Sequence, residues 1–207
     1  MSRHGISMPN RAHERGVALV MVLIAVTLLA ALGAALTLAS AVETAIAANY
    51  REATETLYAA EAGATFVMQE AAAIADWGDA ATGAGQSAFV DGPPAGVRVV
   101  GAVTLDLEAE TSNLNSTMPA GPGAVPPWVL HAFGPLQDMA PSAAGRAKAY
   151  VAVWIANHTA SADPSMRGAL SIFGQAYGPR GSRRAVEVIV DKVDASSLRR
   201  RSWRERP

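Results

Sequence analysis

The 207-residue chain contains no cysteine. That absence excludes a disulfide framework and thiolate metal sites. It leaves an extracytoplasmic location open, since an outer domain can be held by strand pairing and packing. Aromatic residues are scarce at 6%, although half of all residues are hydrophobic, so alanine and short aliphatics carry most of the apolar content. Histidine is also rare. His4, His13, His131 and His158 include no pair at the i, i+4 spacing of a helical metal site. There is no Gly-x-Ser-x-Gly elbow, P-loop or dinucleotide fingerprint. The expectation is no catalytic site, no metal and no cofactor, and an envelope enzyme ranks last among the readings.

Charge is sparse and unevenly placed. Met1 to Gly16 carries Arg3, Arg11 and Arg15 against Glu14. Glu43 to Arg167 holds thirteen acidic and five basic residues, and the chain from Arg180 onward holds nine basic and four acidic. This reads as a basic flank, an acidic body and a basic tail at residues 194–207. No continuous basic face with interleaved aromatics appears, so nucleic acid is not an expected partner.

Charge is missing altogether from Val17 to Val42, a run of 26 residues. A bilayer core needs roughly 20 apolar residues in a helix, and each charge at its centre costs about 3 kcal/mol. The run therefore predicts a single membrane-spanning helix over 17–42. Thr27, Thr37 and Ser40 can return their hydroxyls to the preceding helical turn, and Gly33 marks a point of flexibility or close packing. The basic flank predicts a cytoplasmic N-terminus, with everything from Glu43 onward outside the inner membrane. A secretory signal peptide is the competing reading, but its apolar region is usually shorter. Glu14-Arg15-Gly16-Val17 joins a short basic leader, residues 1–16, directly to the apolar run. It resembles the leaders cut by prepilin peptidase after the glycine, which implies a mature, N-methylated chain beginning at Val17.

The helical pattern continues beyond the apolar run. Ile46, Tyr50, Ala53, Leu57, Ala60, Ala64, Val67, Ala71 and Ile74 form a stripe at alternating spacings of four and three. The spacing predicts an amphipathic continuation over 43–78, with Gly78 as a stop. A helix from Val17 to Ala75 is about 90 Å long at 1.5 Å per residue. The stripe is mostly alanine, which suits close packing on a sheet as readily as a coiled coil. Gly63 within it points to close approach by another segment.

The apolar run together with Leu57-Tyr58-Ala59-Ala60-Glu61-Ala62-Gly63 is similar to the N-terminal domain of PilX-type minor pilins, over roughly Arg15 to Met68. That family carries an Ala-Ala-Glu-Ala-Gly signature, here Ala59 to Gly63. The resemblance implies a pilin-like subunit in type IV pilus assembly, with other pilin subunits and the lipid bilayer as partners and the pilus as a second location. It assigns Arg15, Gly16 and Val17 to processing, and Met21, Glu61 and Gly63 to assembly. Met21 stands where major pilins carry a glutamate that pairs with a neighbouring amino terminus. That departure implies a minor, priming or tip-associated subunit. From the residues alone, Glu61 reads equally as an interaction residue and as a solvated helix charge.

The remainder predicts an antiparallel β domain over 97–193, and with the helix an α+β fold: a long N-terminal helix packed on an antiparallel sheet. Ala80 to Gly96 reads as a loop. Val97 to Ala109 alternates as one long strand, with Asp106, Glu108 and Glu110 on a face that is solvated or binds a cation. Thr111 to Pro127 reads as irregular. Trp128–Phe133 and Ala149–Ile155 read as strands, and Asn157–Gly168 as a polar loop holding a solvated His158. Leu170–Tyr177 and Arg183–Val193 flank Gly178-Pro179-Arg180-Gly181 as a hairpin. The tail from Leu198 reads as disordered and solvated, or as an electrostatic contact with headgroups or an acidic subunit. Asn115 and Asn157 fall in glycosylation sequons, which mean little if the source is bacterial. Two further functions stand beside the minor-pilin expectation: a K-like pseudopilin of type II secretion, and a bitopic membrane-anchored binding module unrelated to pili.

Overall fold

A computed structural model describes residues 12–74, 76–78, 87–117, 127–139, 148–158, 165–194 and 197–206, with the side chains of 12–15 left aside. Leader residues 1–11 and residues 80–86 of the expected 80–96 loop lie outside this set, as do parts of the expected loops at 111–127 and 157–168. The chain divides into two compact units at residues 49 and 50. Helix α1, Ala12–Ala73, begins in the first unit and ends in the second.

The described residues of the first unit are all helical. Every side chain from Gly16 to Ala47 is exposed. Between Val17 and Val42, fourteen large apolar side chains are 50–69% exposed. At roughly 1.5–3 kcal/mol each, leaving them in water would cost tens of kcal/mol, more than a typical domain's whole stability. This segment has the length and hydropathy to cross a membrane. Thr27 Oγ1 donates to Ile24 O at 2.8 Å and Thr37 Oγ1 to Gly33 O at 2.9 Å. Both hydroxyls are thus satisfied without water.

The second unit is α+β, as expected. Strands β3 (Val129–Pro135), β4 (Tyr150–Asn157), β5 (Ala169–Tyr177), β6 (Arg183–Lys192) and β7 (Leu198–Arg206) form one sheet in sequential antiparallel order. The α1 portion of this unit packs on one face, where Ala60, Ala64, Val67 and Ala71 meet Val151, Val153, Ile172, Val186 and Val188. The other face is covered by a small hairpin, β1 (Val97–Val100) and β2 (Val103–Asp106), and by α2 (Leu107–Ser116). There Leu105 and Leu107 join Phe133, Trp154 and Phe173. A four-residue helix, α3 (Leu136–Met139), follows β3. Trp154, fully buried, donates its indole N–H to Thr111 Oγ1 of α2 at 2.8 Å.

The long strand expected from Val97 to Ala109 does not form. Gly101 turns the chain at φ +61°, where a Cβ would lie 2.1 Å from Pro179 O. Asp106 then caps α2, its carboxylate accepting from the Glu108 and Ala109 amides at 3.0 and 3.1 Å. An Asp cap with glutamates in the first turn is a helix-start signal that the alternation obscured. The three acids therefore do not share a strand face. Glu110 instead pairs with Arg183 at 2.7 Å. Asn115 uses its side-chain amide to bond both backbone groups of Trp128, at 2.7 and 3.1 Å.

The tail is also corrected: Leu198–Arg206 is strand β7, not a disordered segment. Two buried acids of β6 hold it. Glu187 takes Arg204 and Arg206 at 2.8 and 2.6 Å. Asp191 takes Arg199 at 3.0 Å and also Arg201. A register shift between Ile189 and Val190 leaves Arg201 without a cross-strand partner. That bulge turns Arg201 toward the same acid as Arg199. The segment is basic because it neutralises acids buried next door.

Candidate functional site on the first helix

Two groups of residues were expected to carry function, processing and assembly, all on α1. The processing junction comes first. The helix starts at Ala12, so Arg15-Gly16-Val17 lies inside it and not ahead of it. Val17 is 57% exposed, and a Cβ added at Gly16 would meet nothing within 4 Å. Met21, one helical turn on, is also exposed. No side chain from elsewhere in the described chain covers this stretch.

The Ala59–Gly63 signature divides into a fully buried and a half-buried part. Ala59, Ala60 and Gly63 are buried, whereas Glu61 and Ala62 are only partly covered. A Cβ on Gly63 would lie 2.4 Å from Val151 Cγ1 and 3.1 Å from Val153 Cγ2. Facing it on the sheet, a Cβ on Gly174 would lie 2.7 Å from Ala60 O. Helix and sheet meet backbone to backbone across these small residues, so the close approach expected of Gly63 is present. Glu61 makes no ion pair among the described residues. The stripe holds from Ala60 to Ala71, but Ile46 and Tyr50 at its start are 62% and 77% exposed.

Sequence reasoning missed an anchor between the sheet and α1. Glu52 Oε1 accepts the Arg180 amide at 2.8 Å, and the Thr56 and Ser182 hydroxyls lie 2.5 Å apart. The β5–β6 turn is thereby tied to α1, while its Pro179 carbonyl accepts from Ala102 N at 2.9 Å. No local signal marks Glu52 or Thr56, whose partners are about 130 residues away.

His158, expected to be solvated, is buried instead, and His131 is buried as well. His158 is buried, with Nε2 2.9 Å from Ser171 Oγ, because the chain re-enters β5 at Ala169 and folds the ring under it. His131 is buried at a second bulge, between Leu130 and Ala132 of β3, with Nε2 3.5 Å from Glu70 Oε2. Burial raises the Glu70 carboxyl, but contacts with His131, Ser87 and the Ala88 amide outweigh it and leave the pKa below the usual carboxylate range. Among the described residues, no group of three or more His, Asp or Glu side chains is placed to hold a metal.

The arrangement on α1 is thus an apolar, protein-free helix followed by a helix seated on a sheet through small residues. It can insert, and it can pack against other helices. Residues 15–65 of the chain match the family described as PilX N-terminal. No curated protein and no solved structure matches the chain. The match and the apolar helix together support a pilin-type, membrane-associated chain with a role related to the type IV pilus.

Proposed function

We propose that this chain is a minor, non-catalytic subunit of type IV pilus assembly, acting by helix–helix packing first in the inner membrane and then in the fibre. The observation that carries the proposal is the overlap of two things on one segment. Residues 15–65 match the PilX N-terminal family, and every described side chain of that segment's apolar part is exposed. A helix with that surface needs lipid or other apolar helices around it.

In this reading prepilin peptidase cuts after Gly16 and frees Val17, the outer domain stands outside the inner membrane, and other pilin subunits replace lipid around residues 17–42. Met21 supplies no carboxylate for a neighbouring amino terminus, which suits a subunit used in few copies. Glu61, only partly covered and without an ion pair among the described residues, serves contacts with neighbours.

Intact-mass and N-terminal analysis of the membrane-extracted protein tests this. The expected result is a chain beginning at N-methylated Val17, lost when prepilin peptidase is blocked. Recovery of an intact Met1 in cells with active peptidase would overturn it in favour of an unprocessed bitopic protein.

A further inference from the structure

The two edges of the five-stranded sheet are finished differently. Along β3 the chain lays its own residues 87–91. Ser87 N donates to His131 O at 3.2 Å, Asp91 N to Phe133 O at 3.1 Å, and Phe133 N to Phe89 O at 2.9 Å. No described strand pairs with the outer side of β7. An open nine-residue edge is a template for another strand, and side chains decide which strands it admits.

Those side chains include five arginines, one glutamate and one half-exposed tryptophan, beside Leu198 and Ser202. On the face away from α1, each buried acid already meets two guanidinium groups, so the face keeps a positive surplus. On the opposite face, Arg200 is exposed and makes no ion pair among the described residues. Trp203, 43% exposed, lies on that face as well, opposite Val188. Trp and Arg are the residue types that most often anchor interfaces.

The charge pattern selects the partner. Two copies of β7 set edge to edge would place arginines against arginines, and like charges across strands are destabilising. A neutral strand would leave the guanidinium groups uncompensated. A strand carrying Asp or Glu supplies the missing carboxylates, and charge-assisted hydrogen bonds are the strong ones. The bulge at Arg201 interrupts the edge, which leaves Ser202–Arg206 as its regular stretch.

We propose that the outer edge of β7 is a docking site for an extended, acidic segment of a different polypeptide, which adds to the sheet as a sixth strand. The inference does not depend on the pilus reading. It rests on the edge alone.

The test uses the full chain in nanodiscs of zwitterionic lipid and a fluorescent octapeptide of alternating valine and glutamate. Its lysine counterpart is the control. The expected result is saturable binding of the glutamate peptide only, weakened about tenfold by Arg200→Glu and further by 0.5 M salt (about a 4 Å Debye length). Hydrogen exchange should show new protection of backbone amides in 202–206. Arg200 is exposed, so its variant tests charge without disturbing the core, and Trp203→Ala provides a second, uncharged test of the same edge. The proposal is overturned by no binding, by equal binding of the lysine peptide, by binding without amide protection, or by unchanged affinity in both variants. Displacement of the peptide by phosphatidylglycerol in the disc would also overturn it, since the edge would then be a lipid contact.

Discussion

Gly33 and Gly63 lie thirty residues apart on the same helix and have opposite surroundings. A Cβ at Gly33 meets nothing within 4 Å, whereas one at Gly63 overlaps Val151. The first glycine belongs to a helical segment whose side chains are exposed all along. The second belongs to a segment whose small residues let a sheet approach the backbone. Both stretches are rich in alanine, so composition does not separate them. The difference lies in what each side of the helix carries: large apolar side chains all round over 17–42, but over 56–71 the small residues Ala60, Gly63, Ala64 and Ala71 gathered on the side that meets the sheet.

The contrast can be broken at several points, and the largest effect belongs to the bare segment. Leu28→Arg places a charge near the middle of the apolar run and should cost about 3 kcal/mol of insertion, read as loss of the protein from the membrane fraction. Next come the glycines of the seated segment. Gly63→Ala and Gly174→Ala should each destabilise the outer domain by about 2 kcal/mol. Gly174 should be the worse, because the atom its Cβ would meet is backbone and cannot rotate away. Thermal unfolding of the full chain in detergent measures both, and Gly33→Ala is the control expected to leave that transition unchanged.

A smaller effect concerns β7. Burial raises the Asp191 carboxyl, but Arg201 and Arg199 outweigh it and hold its pKa below the ordinary 3.8. A depressed folded pKa means the stabilisation is complete at neutral pH and is lost as pH falls through the folded value, below about pH 4. Hydrogen exchange along β7 should therefore rise in acid before β4 and β5 are affected, and Asp191→Asn should remove that pH dependence. The smallest effect is expected of Asp106→Ala. It deletes the α2 cap for about 1 kcal/mol and should lower the melting temperature by a few degrees, with no change in membrane partition.

Much of this architecture is legible in the residues, and the parts that are not share a cause. The apolar run, the alanine stripe from Ala60 to Ala71 and the β5–β6 hairpin are local patterns, and each is present. The β1–β2 hairpin and α2 were hidden because Val97 to Ala109 alternates like a strand, while Gly101 and Asp106, which break it, are single residues. β7 was hidden because five arginines in nine residues look solvated until Glu187 and Asp191 are brought beside them. His158 and the Glu52–Thr56 anchor depend on partners far away in sequence. At the candidate site, the positions of Gly16, Val17, Met21, Glu61 and Gly63 on one helix were readable, but the helix beginning ahead of Gly16 was not.

The pairing of Thr56 with Ser182 has a consequence for the order in which the molecule is made. These residues are 126 apart. At ribosomal speeds of about 5–20 residues per second, that interval lasts roughly 6–25 s. Through that time the apolar part of α1 can already reside in lipid, while the alanine face that will carry the sheet has nothing to cover it. A face built from Ala59, Ala60, Gly63 and Ala64 offers little surface for chaperones, neighbouring chains or the bilayer to grip. The small residues that allow the final close fit also keep the unfinished chain from committing to a wrong one.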